Sequence, residues 1–113
     1  MHKQGEAAEQ IAVVKWCDYV GVPVFHIPNE GKRSKVGGSI LKQMGLRSGV
    51  PDLFVPIPKG DYHGLFIEMK YGKNKLTEEQ KKWIGLLQDS GYACVVCYSA
   101  DKAIAAILNY KKL

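Results

Sequence analysis

The stretch PDLFVPIPKGDYHGLFIEMK, residues 51–70, decides how this chain folds and where its chemistry sits. Two short apolar runs, DLFVPI (52–57) and LFIEMK (65–70), flank the turn-forming PKGDYHG, a spacing that predicts an antiparallel hairpin. With the hairpin centred near Gly60, Asp52 and Glu68, fifteen residues between them, fall opposite each other. Glu68 and Lys70, two apart on a strand, point to the same face. Three charged groups therefore converge at the end of the sheet away from the turn, in a segment that is otherwise apolar. Two neighbouring carboxylates repel unless a proton or cation lies between them, and hard oxygen donors select Mg²⁺ or Mn²⁺ over zinc. Such a metal polarises a phosphoryl oxygen and lowers the pKa of a bound water, while the lysine orients that water or stabilises developing charge. An ordinary cross-strand pairing of Lys70 with Asp52 or Glu68 at a solvated strand end is the competing reading.

Outward from the hairpin, the pattern is α/β. Residues 5–20, GEAAEQIAVVKWCDYV, have apolar spacing at Ile11, Val14 and Cys17, with Val13, Trp16 and Val20 on a neighbouring row, and predict an amphipathic helix ended by Gly21. VPVFHI (22–27) predicts a strand, PNEGKRSKVGG a polar basic loop, and SILKQMG a short helix stopped by Gly45. Beyond the hairpin, a helix over roughly 77–90 opens with Thr77 and Gln80 at capping-box spacing, YACVVCY predicts a buried strand, and SADKAIAAILNY a last helix capped by Ser99. The order is helix, strand, short helix, strand, strand, helix, strand, helix. A mixed central β-sheet flanked by helices follows, as a single domain over 1–113 without repeats or linkers.

Composition narrows the partner. With 113 residues and 46% of them apolar, the chain supports one core, and its net charge of +5 favours an anionic partner. Nucleic acid leads because no basic amphipathic helix or lipidation signal points to a membrane. No stretch approaches a membrane span and no secretory h-region follows Lys3, so an intracellular, cytoplasmic protein is expected. Three cysteines, Cys17, Cys94 and Cys97, argue for reduced thiols rather than a disulfide framework. Strand alternation sends Cys94 and Cys97 to opposite faces, against a metal or redox role for their C-x-x-C. His26 and His63 lack a partner at ligand spacing and are taken as structural or surface residues.

Pro51-Asp52 followed by Glu68-Met69-Lys70 resembles the signature of the PD-(D/E)XK nuclease superfamily, with its restriction-endonuclease-like core of helix, three strands, helix and strand. HIPNEGKRS, MGLRSGVPDLFV, GLFIEMKYGKNKLTEEQKKW and GYACVVCYS further resemble the corresponding stretches of the VRR-NUC (virus-type replication-repair nuclease) family, from Glu6 to the last strand. The resemblance implies a divalent-metal-dependent DNA endonuclease using Mg²⁺ or Mn²⁺. It places Asp52, Glu68 and the Met69 carbonyl on the metal, Lys70 on the water, and a first-helix glutamate beside them. Glu6, with Gln10 and Trp16 at the family spacing, is preferred to Glu9 for that last role; both also fit solvated acids at a helix start. Gln80 matches a family glutamine that reaches the site or the scissile phosphate, although capping alone also accounts for it. Asn29, Lys32, Arg33 and Lys35, with Arg47 and Lys73 to Lys75, are candidate phosphate contacts; a merely solvated loop is the alternative for each.

Stand-alone members of that family resemble junction-directed enzymes, which together with two-fold symmetry implies a homodimer on branched DNA. Tyr19, Tyr62 and Tyr110 are candidates for its interface. The competing functions are a non-catalytic DNA- or RNA-binding module and a structural subunit of a replication-repair complex on the same fold.

Overall fold

The computed structural model describes residues 2–28 and 35–113, with side chains described for 5–28 and 39–113. The elements are α1 (His2–Val20), β1 (Phe25–His26), α2 (Lys35–Gln43), β2 (Leu53–Val55), β3 (Leu65–Met69), α3 (Glu78–Asp89), β4 (Ala93–Cys97) and α4 (Ala100–Lys111). Their order is the one expected. The four strands form one mixed sheet in the order β1-β2-β3-β4, the first two pairings antiparallel and the last parallel.

Alternation along β2 and β3 assigns the two faces of the sheet. Leu53, Val55, Leu65, Ile67 and Met69 are all buried, and they meet Val13 and Cys17 of α1 with Ala103 and Ile107 of α4 in the main core. The intervening residues face the other way. There Phe54 and Phe66 lie 4.4 Å apart, with Tyr92 edge-on to Phe66 at 5.3 Å, beneath the layer that carries α3. Glu68, in step with Phe66, belongs to this second face.

Capping explains where α3 and α4 begin. The Thr77 side chain accepts from Gln80 N and the Gln80 side chain accepts from Thr77 N, while Ser99 accepts from the Lys102 backbone. Each cap satisfies amide donors that the first helical turn leaves without intrahelical partners.

Several expectations need correction. β1 spans two residues rather than 22–27, because only Phe25 and His26 find register with β2. α2 starts at Lys35, ahead of the expected SILKQMG. On α1, Val13 and Cys17 carry the core stripe, whereas Ile11 and Val20 are 54% and 46% exposed. β4 is an edge strand and mostly half-buried rather than a buried one, since β3 alone pairs with it. Tyr110 is buried, its hydroxyl donating to the Ile57 carbonyl at 2.6 Å, and so presents no aromatic surface; Tyr19 is 90% exposed.

Cys17, Cys94 and Cys97 are free thiols, and burial pushes Cys94 and Cys97 up to about 11, which keeps both neutral and poor as ligands. Among the described residues no helix is long and apolar enough to cross a membrane.

Candidate active site at the end of the sheet

The register Leu53↔Ile67 continues outward to place Asp52 opposite Glu68, as the hairpin spacing predicts. Asp52 stands just before β2, where its Oδ2 accepts the Met69 backbone N–H at 2.7 Å. That short, charge-assisted bond fixes the carboxylate against β3. Its backbone is fixed from the other side, because the Asp52 carbonyl accepts from Ile27 N at 2.8 Å and lies 2.8 Å from His26 Nδ1. His26 is therefore tied to the site through Asp52, and Gln10 Nε2 lies 3.1 Å from the same ring nitrogen. This support was missed because it depends on a two-residue strand whose register no sequence pattern announces.

Glu68 is 3% exposed and Lys70 7%, an unusual depth for two charged groups on one strand. Gln80 Nε2 donates to Glu68 Oε2 at 3.2 Å while Gln80 Oε1 accepts from Thr77 N at 2.9 Å. Gln80 thus caps α3 and reaches the site at once, the two roles that the sequence leaves as alternatives. Among the described residues Glu68 Oε1 is buried with no donor group to accept from, and its carboxyl meets that of Asp52. A buried orphan acceptor is costly, and here it sits beside a second carboxylate.

Glu6, Ser48, Gly49, Asp52, Glu68, Lys70, Asn74, Thr77, Glu79 and Gln80 line one cleft of about 420 Å³. Four of them are carboxylates and one is a lysine, so an acidic cleft lies in a basic protein. Burial and the nearby Asp52 push Glu68 up to about 9, against the pull of Lys70. Asp52 is raised too, chiefly by burial, although the Met69 N–H works the other way. Glu6 is raised by burial and by Asp52, with Lys70 opposing. Without a cation, burial and mutual repulsion therefore favour a proton held by the Asp52–Glu68 pair.

The two first-helix acids separate cleanly. Glu6 lines the cleft, whereas the Glu9 carboxylate accepts the backbone N–H of Ala100 at 2.6 Å. Ser48, Asn74 and Glu79 were not anticipated as lining residues. Ser48 could have been found from its place four residues before Asp52; Asn74 and Glu79 reach the cleft only through the fold of the 71–77 loop and α3.

Gly49 explains how α3 comes so close. Its φ is +95°, and a Cβ there would meet the backbone of Glu79, so the loop before Asp52 presses directly on the first turn of α3. Among the candidate phosphate contacts, Lys73 and Lys75 are exposed on the loop carrying Asn74, whose carbonyl accepts from the Tyr98 hydroxyl at 2.7 Å. Arg47 is exposed but donates to the carbonyls of Lys42 and Leu46, closing the end of α2. Asn29, Lys32 and Arg33 lie outside the described residues, as does the side chain of Lys35. His63 packs edge-on to Tyr92 at 5.6 Å, in keeping with a structural role.

The donor chemistry fits a hard cation. The orphaned Glu68 Oε1, the adjacent Asp52 and the carboxylate lining of the cleft are oxygen donors of the kind that Mg²⁺ and Mn²⁺ take. Among the described residues no three His, Cys, Asp or Glu side chains converge closely enough to hold a metal alone. Backbone carbonyl and water oxygens would have to complete the shell, as is usual for Mg²⁺.

Comparison with known proteins agrees with the fold. The model of the VRR-NUC domain matches residues 5–101. A solved VRR-NUC domain protein superposes with a TM-score of 0.78 at 33% identity, covering 95% of this chain and 88% of that one. A second solved VRR-NUC domain shares the fold at 23% identity, with a TM-score of 0.64 over 94% of this chain and 97% of its own. A segment of 53 residues, 44% of this chain, is 40% identical to a Fanconi-associated nuclease 1 homolog of Arabidopsis thaliana, of whose length it spans only 6%. The chain belongs to the VRR-NUC domain family.

Proposed function

We propose that this chain is a divalent-metal-dependent endonuclease that hydrolyses phosphodiester bonds in DNA, acting as a homodimer on branched substrates. The observation that carries the catalytic part is the Glu68 carboxyl, buried against that of Asp52 in an acidic cleft, with no donor for Oε1 among the described residues. Family membership and the nuclease name of the plant relative support the same reading.

Asp52, Glu68 and the Met69 carbonyl would hold Mg²⁺ or Mn²⁺, with Glu6 on the cleft wall reaching the cation through water. A divalent cation bound there supplies Lewis acidity to a phosphoryl oxygen and a bound water of lowered pKa. The chain's own groups do the rest. Asp52 is aimed by the Met69 N–H, and Glu68 by the Gln80 amide, whose orientation the Thr77 cap fixes. Lys70, on the face of Glu68, places an ammonium where it orients the attacking water and offsets charge developing on the phosphate. Ser48 and Asn74, neutral hydrogen-bonding groups on the cleft wall, would be available to the DNA strand. Lys73, Lys75 and Arg47, together with Asn29, Lys32, Arg33 and Lys35, would contribute phosphate contacts.

Calorimetric titration with Mn²⁺ and cleavage of labelled DNA test this together. Asp52→Ala, Glu68→Ala and Lys70→Ala are each expected to reduce cleavage by about 100-fold or more while the fold and much of the DNA affinity persist. The two carboxylate variants should also lose Mn²⁺ affinity, which Lys70→Ala should retain. A wild-type chain that binds DNA but neither takes up Mn²⁺ nor cuts would establish the non-catalytic binding module instead.

A further inference from the structure

Gly5 and Glu9 lie four apart on one stripe of α1, and Glu6 projects beside them. Each makes a contact that leads away from the cleft. The Glu9 carboxylate accepts the Ala100 N–H at 2.6 Å, across 91 residues of sequence. That amide is one of the donors that α4 leaves without an intrahelical partner; Ser99 satisfies the Lys102 N–H and Glu9 supplies an acceptor for Ala100. The carboxylate also lies against the positive end of the α4 dipole, which strengthens the bond. Ala100 is buried at the exit from β4, so the anchor is a rigid one.

At Gly5 the reason is space. An added Cβ would fall within the ring of Tyr71, the residue after Lys70. Glycine is the poorest helix former apart from proline, so its place inside α1 answers to packing rather than to helix propensity. The first turn of a helix has amide donors without intrahelical partners and opens readily unless other contacts tie it down. Here the first turns are tied at two points, one on Tyr71, two residues beyond β3, and one on the start of α4.

We propose that Glu9 and Gly5 are positioning residues: by docking the first turns of α1 against Ala100 and Tyr71, they hold Glu6 in the cleft with Asp52, Glu68 and Lys70. The consequence for the site rests on reading the cleft as a metal centre, while the docking itself does not. A helix loosened there would leave the two hairpin carboxylates in place and take away the third. Ligands held by outer contacts lose about 10- to 100-fold in metal affinity or activity when those contacts are removed.

The test compares Glu9→Ala, Glu9→Gln, Gly5→Ala and Glu6→Ala by amide hydrogen exchange over residues 5–10, Mn²⁺ affinity, and kcat and KM for DNA cleavage. Glu9→Ala should speed exchange in those turns, weaken Mn²⁺ binding about 10-fold and lower kcat about 10-fold with KM little changed. Glu9→Gln, whose amide oxygen still accepts from Ala100, should restore all three. Glu6→Ala should lose Mn²⁺ affinity without faster exchange. If Glu9→Ala is melted at lower temperature yet binds Mn²⁺ and turns over like wild type, Glu9 is a plain helix cap and the positioning role is overturned. Should Glu9→Ala fail to fold, Gly5→Ala carries the test, because alanine favours the helix itself: loss of Mn²⁺ affinity with intact helix content supports docking, and unchanged affinity overturns it. A wild-type chain that neither binds Mn²⁺ nor cuts would sink the metal centre separately, and unchanged exchange in Glu9→Ala would sink the docking whatever the activity.

Discussion

The amide of Gln80 has its oxygen on the Thr77 N–H and its nitrogen on Glu68 Oε2, so helix capping and carboxylate orientation share one side chain. The two roles come apart by substitution. Gln80→Ala removes both, and should cost about 1 kcal/mol in stability along with cleavage rate. Gln80→Glu keeps the capping box but sets a third carboxylate against Glu68 in place of a donor. Thermal melts should find Gln80→Glu close to wild type, while its cleavage rate stays low; a rate equal to wild type would show that donation to Glu68 is dispensable. Glu68 itself predicts a pH effect. Its folded value of about 9 stands above the ordinary 4.5, so the folded state binds a proton that the unfolded chain has released. The stability this contributes is fully present below about pH 4.5 and is lost as pH rises towards about 9. Asp52 and Glu6, also raised, act in the same direction. In EDTA the melting temperature should fall across this range, and saturating Mn²⁺ should remove most of the slope by replacing the proton. A flat profile in EDTA would mean that the carboxylates are not held as close as the structure has them.

At the scale of elements, the hairpin and α3 make the site by converging from opposite ends of one loop system, and Gly49 is where they touch. Gly49→Ala combines a strained positive φ with a collision against the Glu79 backbone, and should destabilise by about 2–3 kcal/mol. Because the same collision pushes α3 away from Glu68, cleavage should fall further than stability alone accounts for; urea titration and single-turnover cleavage on the same preparation separate the two. Loss of stability with a full rate at low temperature would refute the coupling. The hairpin was legible in the sequence because turn residues and strand alternation are local signals: they fixed the facing of Asp52 and Glu68 and the shared face of Glu68 and Lys70. The capping box was legible for the same reason. What escaped was non-local. The His26 and Gln10 contacts behind Asp52 depend on a two-residue pairing, and the Glu9 bond spans 91 residues. α1 shows the limit of periodicity: Ile11 fits the apolar pattern yet is exposed, because the partner helix α4 covers the Val13–Cys17 stripe and not the row beside it.

At the scale of the molecule, a net charge of +5 coexists with a cleft where four carboxylates face one lysine. The basic residues therefore lie mostly outside the cleft, where a positive net charge favours approach of a polyanion. One metal centre makes one cut. Two copies related by a two-fold axis would present a pair of centres to a substrate of matching symmetry, such as a four-way junction, and cyclic dimers are the commonest assembly of soluble chains. Exposed apolar groups are available for the contact: Tyr19 and Met44 are 90% and 77% exposed, whereas Tyr110 is withdrawn into the core. The expected result is a dimer by sedimentation at about micromolar concentration, near the affinity that a small interface supports. Cleavage of a junction should exceed that of a linear duplex of equal length by about 10-fold or more, and Tyr19→Glu should reduce both dimer and junction preference while leaving Mn²⁺ affinity unchanged. A monomer that cuts both substrates equally would rule out the symmetric arrangement and leave the metal centre standing. A dimer indifferent to Tyr19→Glu would move the interface to another face.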